Sequence, residues 1–244
     1  IGIIKFPSIS NFSDFDPLEN EDSIQLNWIN HCQNLDGFDL IILPGTKQTI
    51  KDLFFLYESG LLENIQEYSK MNGNIFGLCG GLQMLGECLE DPYSKEGSNS
   101  SKKSIRGIGL LPLKTIFMGD KITKRITCYS NWPCVDIVDG FEIHNGITKI
   151  NKKDKSSKVY SIFRENCLGW YKKYDNRGII AGTYIHGIFE NDKWTNSLLN
   201  LIREKKGIPK LDKKNKSYRI KRDAIIDNLA KQFSKHINIS TLLN

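Results

Sequence analysis

The sequence predicts an α/β protein with a mostly parallel sheet, helices on its faces and additional short antiparallel strands. Three observations lead to this fold class. Short apolar runs alternate with helical patterns through the first half of the chain, as in parallel sheets covered by helices. One of these runs enters a glycine-rich turn and continues as a helix, which is typical of the same architecture. Beyond Gly109 the pattern changes to short, spaced strands.

The first half alternates strand and helix patterns. The strand candidates are apolar runs that end in turn residues, at positions 1–6, 40–43 and 74–78. A pattern similar to a capping box at residues 49–52 predicts the start of one helix. Apolar residues between Leu61 and Tyr68 predict another, which ends near Gly73.

The second half opens with a polar segment at 91–106, which we expect to be a mobile loop over the site. The strand candidates that follow are residues 110–113, 124–129, 140–144 and 178–185. Apolar residues around Leu198 predict a helix. Ile225, Leu229 and Phe233 recur every four residues, so residues 220–237 predict an amphipathic terminal helix.

The most informative segment is residues 77–83, with the sequence GLCGGLQ. Its glycines allow the strand to turn sharply into a helix, as in a nucleophile elbow with Cys79 at the apex. A cysteine at a helix N-terminus lies in a positive potential that favours the reactive thiolate. An isolated cysteine is more often a small buried hydrophobe, but these flanking glycines favour a nucleophile.

Composition excludes several classes of protein. The chain has 244 residues, 39% hydrophobic and 25% charged, as in an ordinary globular protein. It contains neither a long apolar run nor a signal-peptide pattern, so we expect a cytoplasmic protein with no membrane partner. Its six cysteines show no paired metal-ligand spacing, and we predict no metal site.

The net charge of +6 is concentrated in one segment. Residues 203–222 carry ten Lys or Arg against two acidic residues, which leaves the rest of the chain slightly acidic. Without interleaved aromatics this segment predicts a solvated connector and no nucleic-acid partner. We therefore divide the chain into a main domain at 1–203 and a region at 204–244, a basic connector and terminal helix that packs on the same domain.

Three motifs together resemble those of the class I glutamine amidotransferases, which have a flavodoxin-like sheet. The motifs are LPGT at 43–46, GLCGGLQ at 77–83 and TYIHG at 183–187. Residues 7–18 and GFEIHNG at 140–146 are similar to the cobalamin-pathway branch, specifically the glutaminase domain of the cobyric acid synthase family. The similarity covers nearly the whole chain and is weakest at 91–106 and 151–177.

The resemblance implies that glutamine is hydrolysed through a Cys thioester. The ammonia released would serve ATP-dependent amidation of the b, d, e and g carboxylates of adenosylcobyrinic acid a,c-diamide, the corrin acceptor. ATP and Mg²⁺ would bind an upstream synthetase domain, and we expect no cofactor in this domain. The sequence has no phosphate-loop motif and opens on Ile1, so we expect it to be part of a longer polypeptide.

The resemblance also assigns roles to residues. Cys79 and His186 would be catalytic, the backbone N–H groups of Gly45 and Gly80 would bind the oxyanion, and Gln83 would bind the substrate amino acid. Many members carry a glutamate two residues after the histidine, a position that is Ile188 here. We therefore predict a Cys–His dyad.

A carboxylate that orients the imidazole is not evident from the motifs. Glu190 and Glu142 are the candidates, and a backbone carbonyl could also hold the tautomer. His144 matches the family motif without an assigned role, and a structural role for Glu142 and His144 is as compatible with the sequence as a functional one. His31 and His236 are predicted to lie at the surface.

Three alternatives remain open at this point. Two are also amidotransferases, namely a cobyrinic acid a,c-diamide synthase and the glutaminase of a cell-wall lipid precursor amidase. The third is a non-catalytic assembly module with the same fold, against which the intact set of Cys79, Gln83 and His186 argues.

Overall fold

The structure is a computed structural model that describes residues 1–96, 104–151, 158–164, 167–172, 178–211 and 217–236. The central layer is a seven-stranded sheet. Its strands are β1 (Gly2–Ile4), β2 (Asn27–Ile29), β3 (Ile41–Leu43), β4 (Ile75–Leu78), β11 (Val159–Ser161), β12 (Gly169–Lys172) and β13 (Ile180–Thr183). They lie in the order β11-β12-β13-β4-β3-β1-β2. The strand β12 is antiparallel to both of its neighbours, β11 and β13, and the other four pairs are parallel.

Two smaller sheets accompany the central sheet. One pairs β5 (Cys88–Glu90), β6 (Ser104–Arg106), β7 (Leu113–Ile116) and β10 (Ile147–Ile150). The other pairs β8 (Ile122–Ser130), β9 (Asp136–His144) and the two-residue β14 (Ile185–His186). The mostly parallel sheet with added antiparallel strands confirms the predicted fold class, although β8 and β9 are longer than expected.

Six helices complete the fold among the described residues. They are α1 (Asp16–Glu19), α2 (Thr49–Ser59), α3 (Leu61–Lys70), α4 (Gly80–Leu85), α5 (Asp192–Lys205) and α6 (Tyr218–His236). Two short 3-10 helices precede α1 and α5, at Phe12–Phe15 and Ile188–Glu190.

Helices cover both faces of the central sheet because successive strand residues point to opposite sides. Ile41 and Ile75 pack with α2 and α3 in one apolar cluster. The next residues along the same strands, Ile42 and Phe76, pack with α5 in a second cluster. The core is therefore divided by the sheet into two layers.

The start of α2 is as predicted, but the capping box is not present. The helix begins at Thr49 without a side-chain cap. The buried Asp52 carboxylate accepts hydrogen bonds from the Thr46 hydroxyl and the Ser8 N–H instead. Asp52 thus connects α2 to two loops beside the site.

The polar segment at 91–106 is described only in part. Residues 97–103, at the centre of the predicted loop, lie outside the described residues. Residues 104–106 form β6, and Glu96 lies against the N-terminus of α2. Of the predicted strand at 110–113, only Leu113 belongs to β7.

The terminal helix is attached by polar contacts. The Tyr218 hydroxyl bonds to Asp16, and Arg219 and Arg222 pair with Glu190. No residue of α6 is buried, and Ile225, Leu229 and Phe233 are exposed. The apolar contact expected of an amphipathic helix on the main domain is thus not found, because α6 meets the domain only through its first two turns.

No helix within the described ranges is long and apolar enough to cross a membrane.

Candidate active site

Cys79 lies at the point where β4 turns into α4. Its backbone has φ 48° and ψ −107°, a conformation that L residues rarely adopt, and α4 begins at the next residue. The Cys79 N–H donates to the carbonyl of Thr183 at the end of neighbouring β13 (2.8 Å). The turn therefore fixes the cysteine at the carboxyl edge of the sheet, where ligands of open α/β sheets bind.

Close backbone approach explains two of the glycines around this turn. A methyl group on Gly77 would lie 2.6 Å from the Leu82 nitrogen. A methyl group on Gly81 would overlap the carbonyl oxygen of Leu43 in β3. These two glycines therefore let α4 pack directly against the strands that carry the site.

His186 reaches the same edge of the sheet from the end of β13. Residues 185 and 186 form β14, which pairs with β9 and holds the imidazole near the cysteine. The Cys79 side chain lies close enough to the imidazole to raise its pKa. A Cβ atom built on Gly45 would lie 3.0 Å from His186 Cε1 and 3.7 Å from Cys79 Cβ. The two predicted catalytic residues and the predicted oxyanion loop therefore meet at one point.

A carboxylate from the N-terminal part of the chain contacts the imidazole. His186 Nδ1 lies 2.7 Å from Asp14 Oδ2, and both side chains are buried. The other oxygen, Oδ1, accepts the Gly187 N–H at 2.8 Å. The Asn11 amide also lies against the ring, with Nδ2 2.8 Å from Nδ1.

The electrostatics of this cluster favour a protonated imidazole. Burial lowers the pKa of His186, but the hydrogen bond to Asp14 and the nearby Cys79 side chain outweigh it and raise the pKa to about 10. The Cys79 sulfur also lies 3.1 Å from the Ile143 carbonyl oxygen in β9. The sulfur and the imidazole are thus both buried, and the thiol donates to a backbone carbonyl.

A cavity of about 170 Å³ opens onto the sulfur. The residues that matter most to its chemistry are Thr49, Cys79, Gln83, Glu96, Asn145 and His186. The buried Gln83 amide donates to the Asn145 carbonyl (2.8 Å) and accepts from the Thr49 hydroxyl (3.2 Å). Gln83 therefore forms a fixed wall of the cavity.

Glu96 is a cavity residue that the sequence analysis did not identify. Its Oε2 accepts the Thr49 N–H at 2.7 Å, and burial raises its pKa. The exposed side chains of Lys47 and Lys121 line the same cavity. Charges of both signs are thus available to a zwitterionic amino acid. No motif singled out Glu96, because it lies in the polar segment that we interpreted as a loop.

Both candidates for the orienting carboxylate are wrong. Glu142 pairs with His144 (3.0 Å) and Lys124 (3.0 Å), and Glu190 pairs with Arg219 and Arg222. The group that contacts His186 is Asp14, 172 residues away in sequence. The signal available was its segment, residues 7–18, which carries the resemblance to the cobalamin-pathway branch.

Glu142 and His144 form a second buried pair beside the cavity. The His144 ring stacks on Tyr184, with ring centroids 3.8 Å apart. Both residues are on β9, whose Ile143 carbonyl contacts Cys79, and the carbonyl of Asn145, the residue after the strand, accepts from Gln83. The pair therefore holds the wall of the site in place. His31 and His236 are exposed, as predicted.

Solved structures with a similar fold include one described as a glutamine amidotransferase. It has a TM-score of 0.57 and 12% identity over 85% of this chain and 100% of its own. The structure of PurLQS from Thermotoga maritima matches with a TM-score of 0.54 and 13% identity, over 82% of this chain and 97% of its own. At this identity the comparison establishes the fold.

Curated relatives named cobyric acid synthase match over the whole chain. Two from Prochlorococcus marinus, strains MIT 9515 and MED4, are 61% and 59% identical, and one from Synechococcus sp. strain CC9311 is 42% identical. The chain spans about half the length of these relatives, 48% for the first two and 49% for the third. The model of the CobB/CobQ-like glutamine amidotransferase domain matches residues 1–194. The chain therefore belongs to the family of CobB/CobQ-like glutamine amidotransferase domains.

Proposed function

We propose that the chain hydrolyses glutamine through a thioester on Cys79 and supplies the ammonia for amidation of corrin carboxylates. The observation that carries this proposal is the meeting of Cys79, His186 and the Gly45 loop at one cavity. A strained nucleophile beside a buried imidazole is the arrangement that acyl transfer requires.

The reaction follows from the positions of these groups. The Cys79 thiolate attacks the side-chain carboxamide carbon of glutamine, and the proton held on His186 passes to the departing ammonia. A thioester remains on the sulfur. His186 then accepts a proton from the attacking water, and glutamate leaves with the thiol restored.

The oxyanion of each tetrahedral intermediate needs fixed donors. Gly80 is the first residue of α4, and N–H groups in a first turn have no partner within the helix. Gly45 lies beside both reacting side chains. We assign the oxyanion to their two backbone N–H groups, as the resemblance implies.

Substrate selection is assigned to the polar end of the cavity. The Glu96 carboxylate would accept the α-ammonium group, and the exposed lysines would attract the α-carboxylate. Gln83 would hold the amino acid from the side, with its own amide fixed by Thr49 and Asn145. Free glutamine would thus be preferred to a glutamine within a peptide.

The acceptor chemistry is proposed from the relatives. Cobyric acid synthase is the name of proteins about twice as long as this chain, and ATP and Mg²⁺ would bind in their other half. Ammonia would pass to that half and amidate the b, d, e and g carboxylates of adenosylcobyrinic acid a,c-diamide. A cytoplasmic location is part of this proposal.

The test is glutamate release by the chain within the longer protein. Cys79→Ala should abolish glutamine hydrolysis, while added ammonium should still support amidation of the corrin acceptor. Cys32→Ala, which removes an exposed cysteine that does not line the cavity, is the matched control and should hydrolyse glutamine normally. Unchanged hydrolysis by Cys79→Ala would refute the assignment of the nucleophile.

A further inference from the structure

The position that supplies the triad acid in related amidotransferases contributes nothing to the polar site in this chain. Ile188 is completely buried and packs in the apolar layer with Phe189 and Trp194. A carboxylate at this position would be placed among apolar side chains. The orienting group, if there is one, must come from another element.

Asp14 reaches the imidazole from the segment after β1, and β1 and β13 lie on opposite sides of β4 in the sheet. It lies on the 3-10 helix Phe12–Phe15, which follows β1 at the same carboxyl edge that carries Cys79 and His186. The Ser10 N–H donates to the Gly45 carbonyl (3.0 Å), so this segment is also tied to the oxyanion loop.

Packing fixes Asp14 and His186 relative to each other. Phe15, the residue after Asp14, lies with its ring centroid 6.5 Å from that of Phe189, which follows His186 on the next 3-10 helix. Both rings are almost completely buried. The packing of these two rings therefore fixes the two backbone segments that carry Asp14 and His186.

We propose that Asp14 is the positioning residue that fixes the tautomer and orientation of His186, in place of the acid at the Ile188 position. Oδ2 accepts the Nδ1–H, which leaves Nε2 as the atom that exchanges a proton with the sulfur and with ammonia. Oδ1 is held by the Gly187 N–H, so the carboxylate cannot rotate away from the ring. Nδ1 keeps its proton throughout the reaction.

The catalytic role of Asp14 rests on the proposed function, but the tautomer and pKa of His186 can be measured without glutamine turnover. The raised pKa of His186 is in agreement with it, since the Asp14 hydrogen bond is a main cause of the shift. The groups that face the imidazole among the described residues are Asp14, Cys79 and the Asn11 amide.

The experiment compares Asp14→Asn, Asp14→Glu and the matched control Asp16→Asn in the full chain. Asp16 lies two residues further on and bonds to Tyr218 instead of the imidazole. Nitrogen NMR of labelled histidines, with the His186 signal assigned by its loss in His186→Gln, reports the pKa and, above that pKa, the tautomer of the neutral ring. Asp14→Asn should lower the proton affinity of His186 by roughly tenfold or more and remove the Nδ1–H tautomer.

Kinetics provide the second readout. Asp14→Asn should lower kcat for glutamine hydrolysis by about a hundredfold to ten-thousandfold, with KM changed less than about threefold. Asp14→Glu, which keeps a carboxylate, should recover part of both the kcat and the His186 pKa. Asp16→Asn should match the unaltered protein in every measurement.

An unaltered protein whose His186 titrates near its ordinary value, or an Asp14→Asn variant with unchanged His186 tautomer and pKa, would overturn the inference. Glutamate release tests the proposed function separately. If the unaltered protein shows the raised pKa and the Nδ1–H tautomer but releases no glutamate, Asp14 positions the histidine and the proposed function fails.

Discussion

Cys79 has a strained backbone, a buried side chain and a polar contact at its sulfur. Its positive φ is supported on both sides, by the β4–β13 pairing before it and by α4 after it. The side chain is only 8% exposed, so an electrophile reaches the sulfur through the cavity alone. Reactivity at this residue is therefore set by what enters the cavity.

His186 should make the stability of the protein depend on pH. Because its pKa is raised in the folded state, protonation favours folding. This contribution is complete below the unfolded value of about 6.5 and is lost as the pH rises through about 10. Between these values the free energy of unfolding should fall more for the unaltered protein than for His186→Gln.

Denaturant unfolding of both proteins at about pH 6 and about pH 9.5 measures this difference. The two proteins share every other titrating group, so the difference between their pH dependences reports the contribution of His186. An equal loss of stability in the two proteins would show that the imidazole is not held in its charged form.

Glu96 should act on substrate binding more than on chemistry. Glu96→Gln keeps the shape of the side chain and the hydrogen bond from the Thr49 N–H, but removes the charge proposed to hold the α-ammonium group. We expect KM for glutamine to rise about tenfold to a hundredfold with kcat changed much less. Steady-state kinetics measure both, and a fall in kcat at constant KM would contradict the assignment.

At the scale of elements, the strand–turn–helix unit of β4 and α4 depends on its glycines. Gly81→Ala would normally favour a helix by about 1 kcal/mol. Here the added methyl overlaps the Leu43 carbonyl, so α4 must move away from β3. We expect a net loss of stability of about 1–3 kcal/mol, as for overpacked cores.

The control for this substitution is Gly37→Ala, where a methyl group meets nothing within 4 Å and φ is not positive. Its stability should stay within about 0.5 kcal/mol of the unaltered protein. Thermal or denaturant unfolding of the two variants checks the pair. If Gly81→Ala were as stable as Gly37→Ala, the close packing of α4 on β3 would not be required.

Elements with strong local signals could be predicted from the sequence, and contacts between distant segments could not. Apolar runs located β1, β3 and β4, and the glycines of residues 77–83 located the turn at Cys79. The capping box failed because Asp52 bonds to Thr46 and Ser8 in neighbouring loops. Asp14 was missed for the same physical reason, since its partner is brought to it only by the order of strands in the sheet.

At the scale of the whole molecule, the parallel sheet collects the site. β1, β3, β4 and β13 are neighbours that end at one edge, and each contributes a side chain or loop there. Asp14 follows β1, Gly45 follows β3, Cys79 follows β4 and His186 follows β13. Residues from positions 14 to 186 thus become neighbours without any long connection crossing the site.

The division at residue 203 remains a prediction that truncation can test. A chain that ends after Leu211 loses α6, whose contacts are polar and partly exposed. Exposed ion pairs contribute about 0–1 kcal/mol each, so the loss of these two should lower the melting temperature by no more than about 8 °C. Trp194→Ala in α5, a substitution in the buried core, should lower the stability by about 3–5 kcal/mol. A loss on truncation as large as that of Trp194→Ala would show that α6 is an integral part of the main domain.

Covalent labelling by a glutamine analogue that carries an electrophile at its side-chain carbonyl tests the central claim most directly. Six cysteines compete for the reagent, of which Cys32 and Cys167 are exposed and Cys79 is buried. Peptide mass spectrometry should find the label on Cys79 alone, and excess glutamine should prevent it. Labelling that follows exposure, at Cys32 and Cys167 and without protection by glutamine, would contradict the account.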